Sequence, residues 1–257
     1  MIKTFKLVRR IAGQRMPVYI TLADDTLVDT GPCSLHRQVQ TIIKEHPVNS
    51  VIHTHHHEDH TGNSPWIEKQ LHIPQWIHST GAENCRKNTM LPPYRAVFWR
   101  NRKAFHPMEL DSDVFKTKEH EFKLVHTPGH AEDHIVLIDQ ERGFCLTGDL
   151  YLYHSPTSHF SFESIAQLIH SLKKTLNYSF EEIYCSHSGY HANGRRLMER
   201  KLNFLVQLKT SVMEEYQKGH TPQEIRKILF PSNKMLQYMS LFQNSPMHTI
   251  NSIINEK

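Results

Sequence analysis

The sequence predicts an α/β protein in which two strand-rich halves carry helices on their outer sides, followed by a small helical extension. Two observations predict it. Short β-branched or alternating runs recur between stretches of helical period in both halves, and the strand signal stops after about Asn193. This texture divides the chain into a main domain over 1–193 and a C-terminal helical extension over 194–257.

In the first half, Lys6-Leu7-Val8 and Pro17-Val18-Tyr19-Ile20-Thr21-Leu22 read as strands, with Ala23-Asp24-Asp25-Thr26 supplying turn chemistry. Leu27 to Pro32 reads as a strand running into a loop. Leu35, Val39, Ile42 and Ile43 recur at helical spacing between Ser34 and Glu45, and the strand Ser50-Val51-Ile52 follows. A helix over Pro65 to Leu71 precedes the strand Trp76-Ile77-His78. The segment from Gly81 to Pro107, with Pro92-Pro93, Trp99, Arg100, Arg102 and Phe105, reads either as an inserted lid or as an irregular peripheral helix.

In the second half, Phe122 to Val125, His134 to Ile138, Gly143 to Thr147 and Glu182 to Cys185 read as strands. Ile165, Leu168, Ile169, Leu172 and Leu176 mark a helix between the last two. Arg195 to Lys218 is a long helix stopped at Gly219. Thr221-Pro222-Gln223-Glu224 is a capping box with proline in the first turn, opening a helix to Phe230. Two short helices, Lys234 to Gln243 and Pro246 to Ile254, close the chain. Leu202, Leu205, Val206, Val212, Met213 and Tyr216 form a burial stripe, so the extension is expected to complete the core. Covering a pocket, or joining subunits into a homo-oligomer, are the alternatives.

With 257 residues, 38% of them hydrophobic, and no low-complexity tract, the chain can bury a sizeable core, which excludes disordered and collagenous classes. No run of about 18 apolar residues occurs and the opening residues lack an apolar h-region, so no membrane partner and a cytoplasmic location are expected. Cys33, Cys85, Cys145 and Cys185 are widely spaced and read as reduced, packed thiols. A formal charge of +4 with dispersed basic residues disfavours a dedicated nucleic-acid module. The abnormal count is 21 histidines, because imidazole is the commonest side-chain metal ligand near neutral pH.

Their placement is informative. Ile52-His53-Thr54-His55-His56-His57-Glu58-Asp59-His60-Thr61-Gly62 packs ligand side chains into the loop after a buried strand, and contains H-x-H-x-D-H at His55, His57, Asp59 and His60. Nitrogen and carboxylate ligands suit zinc and other divalent ions. An incidental histidine-rich surface tract is the bland alternative. Against it stand three further ligand types at strand ends: His130 in Thr127-Pro128-Gly129-His130, Asp149 in Thr147-Gly148-Asp149, and His187 in Cys185-Ser186-His187.

This ordered set resembles the metallo-β-lactamase-fold hydrolase superfamily, over about Asp29 to His187. The resemblance implies a four-layer αββα sandwich with metals at one edge. It implies that His55, His57 and His130 bind a first metal, that Asp59, His60 and His187 bind a second, and that Asp149 bridges them. Asp29 matches a weaker family feature and is either an orienter of a ligand histidine or a turn-capping residue. His53 and His56 are expected to point away from the metals, and His126 to be structural. His134 either faces the pocket or packs behind it.

Two divalent ions, zinc by preference and iron or manganese as alternatives, would acidify a bridging water, and Asp59 would accept a proton while remaining a ligand. The expected reaction is hydrolysis of a small-molecule ester, thioester or lactone. The general arrangement and helical tail also look like those of the β-lactamase-like protein 2 group, in which nuclease activity occurs. For that phosphodiesterase or ribonuclease alternative, Arg195, Arg196, Arg200 and Lys201 would form a phosphate-binding face; a solvated helix face is the competing reading. A mononuclear iron oxygenase would need only the first ligand set, and a non-catalytic metal-binding protein would keep the site without turnover. Tyr151, Tyr153, His154, Trp99 and Arg100 are candidates for the mouth of the pocket.

Overall fold

A long hairpin opens the first sheet: β1 (Ile2–Ile11) and β2 (Gln14–Ala23) pair antiparallel from Ile2↔Ala23 to Ile11↔Gln14. The computed structural model describes residues 1–11, 13–232 and 235–255. Asp24 turns the chain into β3 (Thr26–Val28) with a positive φ of 55°, a conformation that aspartate tolerates. β4 (Ser50–Ile52) pairs parallel with β3, β5 (Gln75–Ile77) with β4 and β6 (Met108–Glu109) with β5. Parallel neighbours need crossovers. These are α1 (His36–Glu45), then α2 (Glu58–Thr61) with α3 (Ser64–Trp66), then α4 (Ser79–Cys85) with α5 (Pro93–Trp99).

In the second sheet, β7 (Val114–Lys116), β8 (Glu121–His126), β9 (Ile135–Asp139) and β10 (Phe144–Gly148) form an antiparallel meander. The short β11 (His159–Phe160) comes next, and α6 (Ile165–Leu176) then returns the chain so that β12 (Glu182–Cys185) lies parallel to β10. β13 (Gly189–His191) closes that edge. The tail comprises α7 (Gly194–Gln217), α8 (Pro222–Leu229), α9 (Met235–Met239), β14 (Asn244–Ser245) and α10 (Pro246–Ile254). β14 pairs with β11, which ties the tail to the loop ahead of α6.

Strand alternation sorts the apolar side chains into layers. Ile135 and Leu137 of β9 meet Val28, Ile52 and Phe122 between the sheets. Their neighbours Val136 and Ile138 face Leu168, Leu172, Met198 and Leu205 of α6 and α7. On the other side Val51, one residue from Ile52, joins Leu7, Ile20, Val39 and Ile42 beneath α1. The result is the four-layer αββα sandwich, with Ile225, Ile250 and Ile253 of the tail in the same outer cluster as α6. Among the described residues no helix is long and apolar enough to cross a membrane.

The structure departs from the sequence expectation in specific places. β1 is longer than Lys6 to Val8, because pairing with β2 recruits the polar residues around it. The segment from Gly81 to Pro107 is a packed piece of the wall containing α4 and α5, anchored by fully buried Phe105 and Arg102. The Arg102 guanidinium donates to the carbonyls of Asn84, Cys85 and Lys103, which satisfies a charge that would otherwise be costly there. For the helix expected over Lys234 to Gln243, Lys234 lies outside the described residues. The helix itself ends at Met239, before Leu241 and Phe242 adopt positive φ of 51° and 62°. The α8 capping box forms as its sequence requires.

Candidate metal centre

Every candidate ligand follows the C-terminal end of a strand: His55 and His57 lie in the loop after β4 with Asp59 and His60 in the short α2 that succeeds it, His130 follows β8, Asp149 follows β10 and His187 follows β12. These strand ends share one edge of the sandwich, so residues far apart in sequence converge. His57 Nδ1 lies 3.0 Å from His55 Nε2 and 3.1 Å from His130 Nε2. His187 Nε2 lies 3.4 Å from both Asp59 Oδ2 and Asp149 Oδ2, and His60 Nε2 lies 3.5 Å from Asp149 Oδ1. Asp149 Oδ2 also reaches within 3.3 Å of His130 Nε2. Three overlapping triads could hold a cation: His55–His57–His130, His55–His60–Asp149 and Asp59–His60–His187. Within each, the ligand atoms are no more than 4.8 Å apart.

The outer nitrogens of four rings are held by acceptors, which fixes their tautomers and aims the opposite nitrogen inward. His60 Nδ1–H donates to Asp29 Oδ2 at 2.8 Å, His130 Nδ1–H to Glu163 Oε1 at 2.8 Å, and His187 Nδ1–H to the Pro17 carbonyl at 2.9 Å. Thr54 Oγ1 gives its proton to Asp29, so it accepts from His55 Nδ1–H at 3.1 Å. Asp29 stands in the left-handed region, φ 63°, and its other oxygen accepts the Thr54 backbone N–H. It therefore orients His60.

The remaining histidines divide as their neighbours dictate. His53 turns to Gln75 and Ser64, and burial lowers its pKa to about 4. His56 pairs with Asp133, and His126 stacks on His78 with ring centroids 4.1 Å apart. His134 is fully buried. Its Nε2 accepts the Asp149 N–H and its Nδ1 bonds Thr127, so it packs behind the site and fixes the Asp149 backbone. Gly148 passes so close that an added Cβ would lie 2.6 Å from His134 Nε2.

The electrostatics fit a cation. Burial opposes ionisation of Asp149, yet the histidines His187 and His60 hold its carboxyl well below the usual carboxylate range. Burial would raise the Asp59 carboxyl, but the charge of His60 and the hydrogen bond from His187 bring it down to about 2. Conversely, burial alone would lower His60 and His187, and Asp149 with its neighbouring carboxylates pushes both well above the ordinary value. His55 and His57 are driven well below it by burial and then by the adjacent imidazoles. His60 Nε2 and Asp149 Oδ1 face each other while lacking a hydrogen-bond partner. Such orphaned buried atoms are costly, and a divalent ion among these nitrogen and oxygen donors would satisfy both.

A cavity of about 250 Å³ opens over the cluster, walled by Met16, Pro17, Tyr94, Trp99, Phe160 and Phe162. Trp99 is therefore placed at the site as expected, whereas Arg100 faces a separate groove. Of the stretch after Asp149, Leu152 rather than Tyr151, Tyr153 or His154 reaches the cavity. Arg95 at its rim is forked onto Glu58, with Nε to Oε1 at 2.7 Å and a terminal nitrogen to Oε2 at 2.6 Å. The suggested basic face on α7 does not form as a unit. Lys201 is buried with its ammonium on the Leu150 carbonyl, and Arg195 caps the carbonyls of Leu176 and Tyr178.

Glu163 was not singled out from sequence. It precedes the α6 N-cap Ser164, and its buried carboxylate is held below its ordinary pKa against burial by the hydrogen bond from His130. Only the fold brings residues 130 and 163 together, although an acidic residue just outside a helix start is a visible signal. Glu163→Gln is expected to weaken metal affinity roughly 10–100-fold, the usual cost of losing a carboxylate behind a ligand histidine. Competition with a chromogenic chelator would check it, and an unchanged affinity would deny Glu163 this role.

Comparison with known proteins bears on the family and the fold. The model of the metallo-beta-lactamase superfamily matches residues 18–187. A hydroxyacylglutathione hydrolase of Aliivibrio fischeri is 29% identical over 164 residues, covering 63% of this chain and 56% of the relative. An atrochrysone carboxyl ACP thioesterase of Aspergillus fumigatus is 24% identical over 198 residues, covering 76% and 56%. The chain thus spans about half the length of the curated relatives it matches. Among solved structures, a metallo-beta-lactamase family protein from Thermus thermophilus superposes with a TM-score of 0.69 at 17% identity. That match covers 99% of this chain and 93% of the other. A beta-lactamase domain protein from Burkholderia ambifaria gives 0.71 at 16% identity, covering 99% and 86%. With the family matched across both ligand-bearing halves and the sandwich in place, the chain belongs to the metallo-beta-lactamase superfamily.

Proposed function

We propose that the chain is a metal-dependent hydrolase that holds two divalent cations, zinc by preference, and cleaves a small ester, thioester or lactone. The carrying observation is the position of Asp149, whose two oxygens lie between His130 on one side and His60 and His187 on the other. In this reading His55, His57 and His130 form one ligand set, Asp59, His60 and His187 the other, and Asp149 serves both. Such a pair, when bound, supplies a water acidified from 15.7 toward roughly 7 and a Lewis acid for the carbonyl oxygen.

The protein's own groups do the remaining work. Asp59 is anionic, its carboxyl held down to about 2 by the charge of His60 and the hydrogen bond from His187 against burial, and in this reading it accepts a proton while remaining a ligand. Trp99, Phe160 and Phe162 offer an apolar wall to an acyl group. Arg95 is neutralised by Glu58 and is not a free cation for a scissile phosphodiester, which favours an acyl substrate. The two similar hydrolases named above support a thioester within this class. The catalytic unit is read as 1–193, with 194–257 completing its outer layer, and the four free cysteines support a reducing, cytoplasmic setting.

Metal analysis of protein purified without a histidine tag is expected to give two cations per chain, together with turnover of a thioester or lactone; turnover of a bis-phosphodiester alone would favour the phosphodiesterase reading instead. Calorimetric metal titration adds a readout independent of turnover. His60 and His187 have raised pKa values in the metal-free protein and carry protons at neutral pH, so cation binding expels them. Net proton release is expected at pH 7, apparent affinity should fall on acidification, and release should shrink as pH rises above the raised values. One iron per chain without hydrolysis would instead favour the oxygenase reading.

A further inference from the structure

Beside the metal cavity runs a second concave space of about 510 Å³, and its charge is one-sided. Arg9 and Arg10 of β1, Arg37 of α1 and Arg100 after α5 line it together with His36 and Ser34. No acidic side chain is among its lining residues, and none of these four arginines enters an ion pair among the described residues. They come from three separate segments, so this is not a charge run on one helix face. Arg9 Nε and Ser34 Oγ are buried atoms without hydrogen-bond partners.

One further feature points the same way: Arg10 stands directly across from Arg15 in the β1–β2 register, and like charges in opposed positions repel.

The groove adjoins the metal cavity by two chain connections. Trp99 walls the cavity and the next residue, Arg100, lines the groove. Met16 and Pro17 wall the cavity, while their cross-strand partners Arg9 and Val8 line the groove, one strand spacing of roughly 5 Å away. We infer that the groove takes the phosphorylated part of a substrate whose acyl bond lies over the metal cluster. The substrate class is then an acyl ester or thioester of a phosphate-bearing carrier. Guanidinium groups are the side chains best matched to phosphate oxygens. The inference rests on the hydrolase reading for the acyl half and on the groove alone for the anionic half.

The test uses coenzyme A as a phosphorylated thiol and N-acetylcysteamine as its short uncharged counterpart. Arg10→Glu/Arg37→Glu is the variant, since both side chains are exposed and Arg10→Glu relieves the opposition to Arg15. Coenzyme A is expected to bind the wild-type protein, with affinity at least about tenfold weaker in the variant, the scale of lost charged hydrogen bonds, and weaker with added salt. For thioesters of one acyl group, kcat/KM should favour the coenzyme A ester in the wild type, and this preference should collapse in the variant while N-acetylcysteamine ester turnover holds. Coenzyme A binding no tighter than that of N-acetylcysteamine, or binding indifferent to the charge reversal, overturns the inference. So does a single-stranded RNA oligomer that displaces coenzyme A from the groove at lower concentration. Arginine-dependent coenzyme A binding by a protein that hydrolyses neither ester would uphold the groove and sink the hydrolase reading.

Discussion

Asp59→Asn is expected to leave the fold intact, lower the metal content toward one cation per chain and reduce turnover by at least ~10³-fold. The substitution keeps the shape of the side chain and removes its charge. Asp59 is fully within the cluster, 3.4 Å from His187 Nε2, and its carboxyl is held down at about 2 by His60 and His187 despite burial. An amide cannot balance those imidazoles or accept a proton in the same way. The second triad of Asp59, His60 and His187 therefore loses its anionic member, while His55, His57 and His130 keep theirs in Asp149. Elemental analysis and turnover on the same preparation measure both effects. Full hydrolytic turnover with one metal per chain would remove the dinuclear reading and return attention to a mononuclear enzyme.

The legible part of this protein is the part where chemistry restricts residue choice. His55, His57, Asp59 and His60 stand out because four ligand types are crowded into a single loop. His130, Asp149 and His187 stand out because each follows an apolar strand. The structure brings all seven to one edge. The strand that precedes Asp149 is also readable, since β10 is buried on both faces and opens with the apolar run Phe144-Cys145-Leu146. Short strands such as β6, β11 and β14 are not, because two residues carry no period and their pairing comes entirely from tertiary contacts. Glu163 and the arginine groove were hidden for a related reason. Arg9, Arg10 and Arg37 look like ordinary surface charges in sequence, and only the packing of β1, α1 and α5 makes one concave wall of them with Arg100. Lys201 misled in the opposite direction: a lysine within a basic run on a helix is usually solvated, yet this one is turned inward onto the Leu150 carbonyl, and burial lowers its pKa to about 8.

Gly62→Ala is expected to cost about 3 kcal/mol of stability, the upper part of the range for forcing atoms into a packed site, and to lower Tm by roughly 6–12 °C for a chain of this size. Its backbone is ordinary, with φ of −59°, so no conformational demand requires glycine there. Space does. A Cβ would lie 2.3 Å from the Cys33 nitrogen and 2.7 Å from the carbonyl oxygens of Glu58 and Gly31, and all three are backbone atoms that cannot rotate away. The two loops are pressed together by Thr30, which donates its N–H and hydroxyl to the His60 carbonyl, and by Asn63, which donates to the carbonyls of Thr30, Gly31 and Pro32. The same closeness places Asp29 against His60. Separating the loops should therefore weaken metal binding as well as the fold, and added zinc should restore less Tm to this variant than to wild type. A variant with wild-type Tm and zinc response would show that the loops can part freely, and that the close passage at Gly62 does not hold the metal centre together.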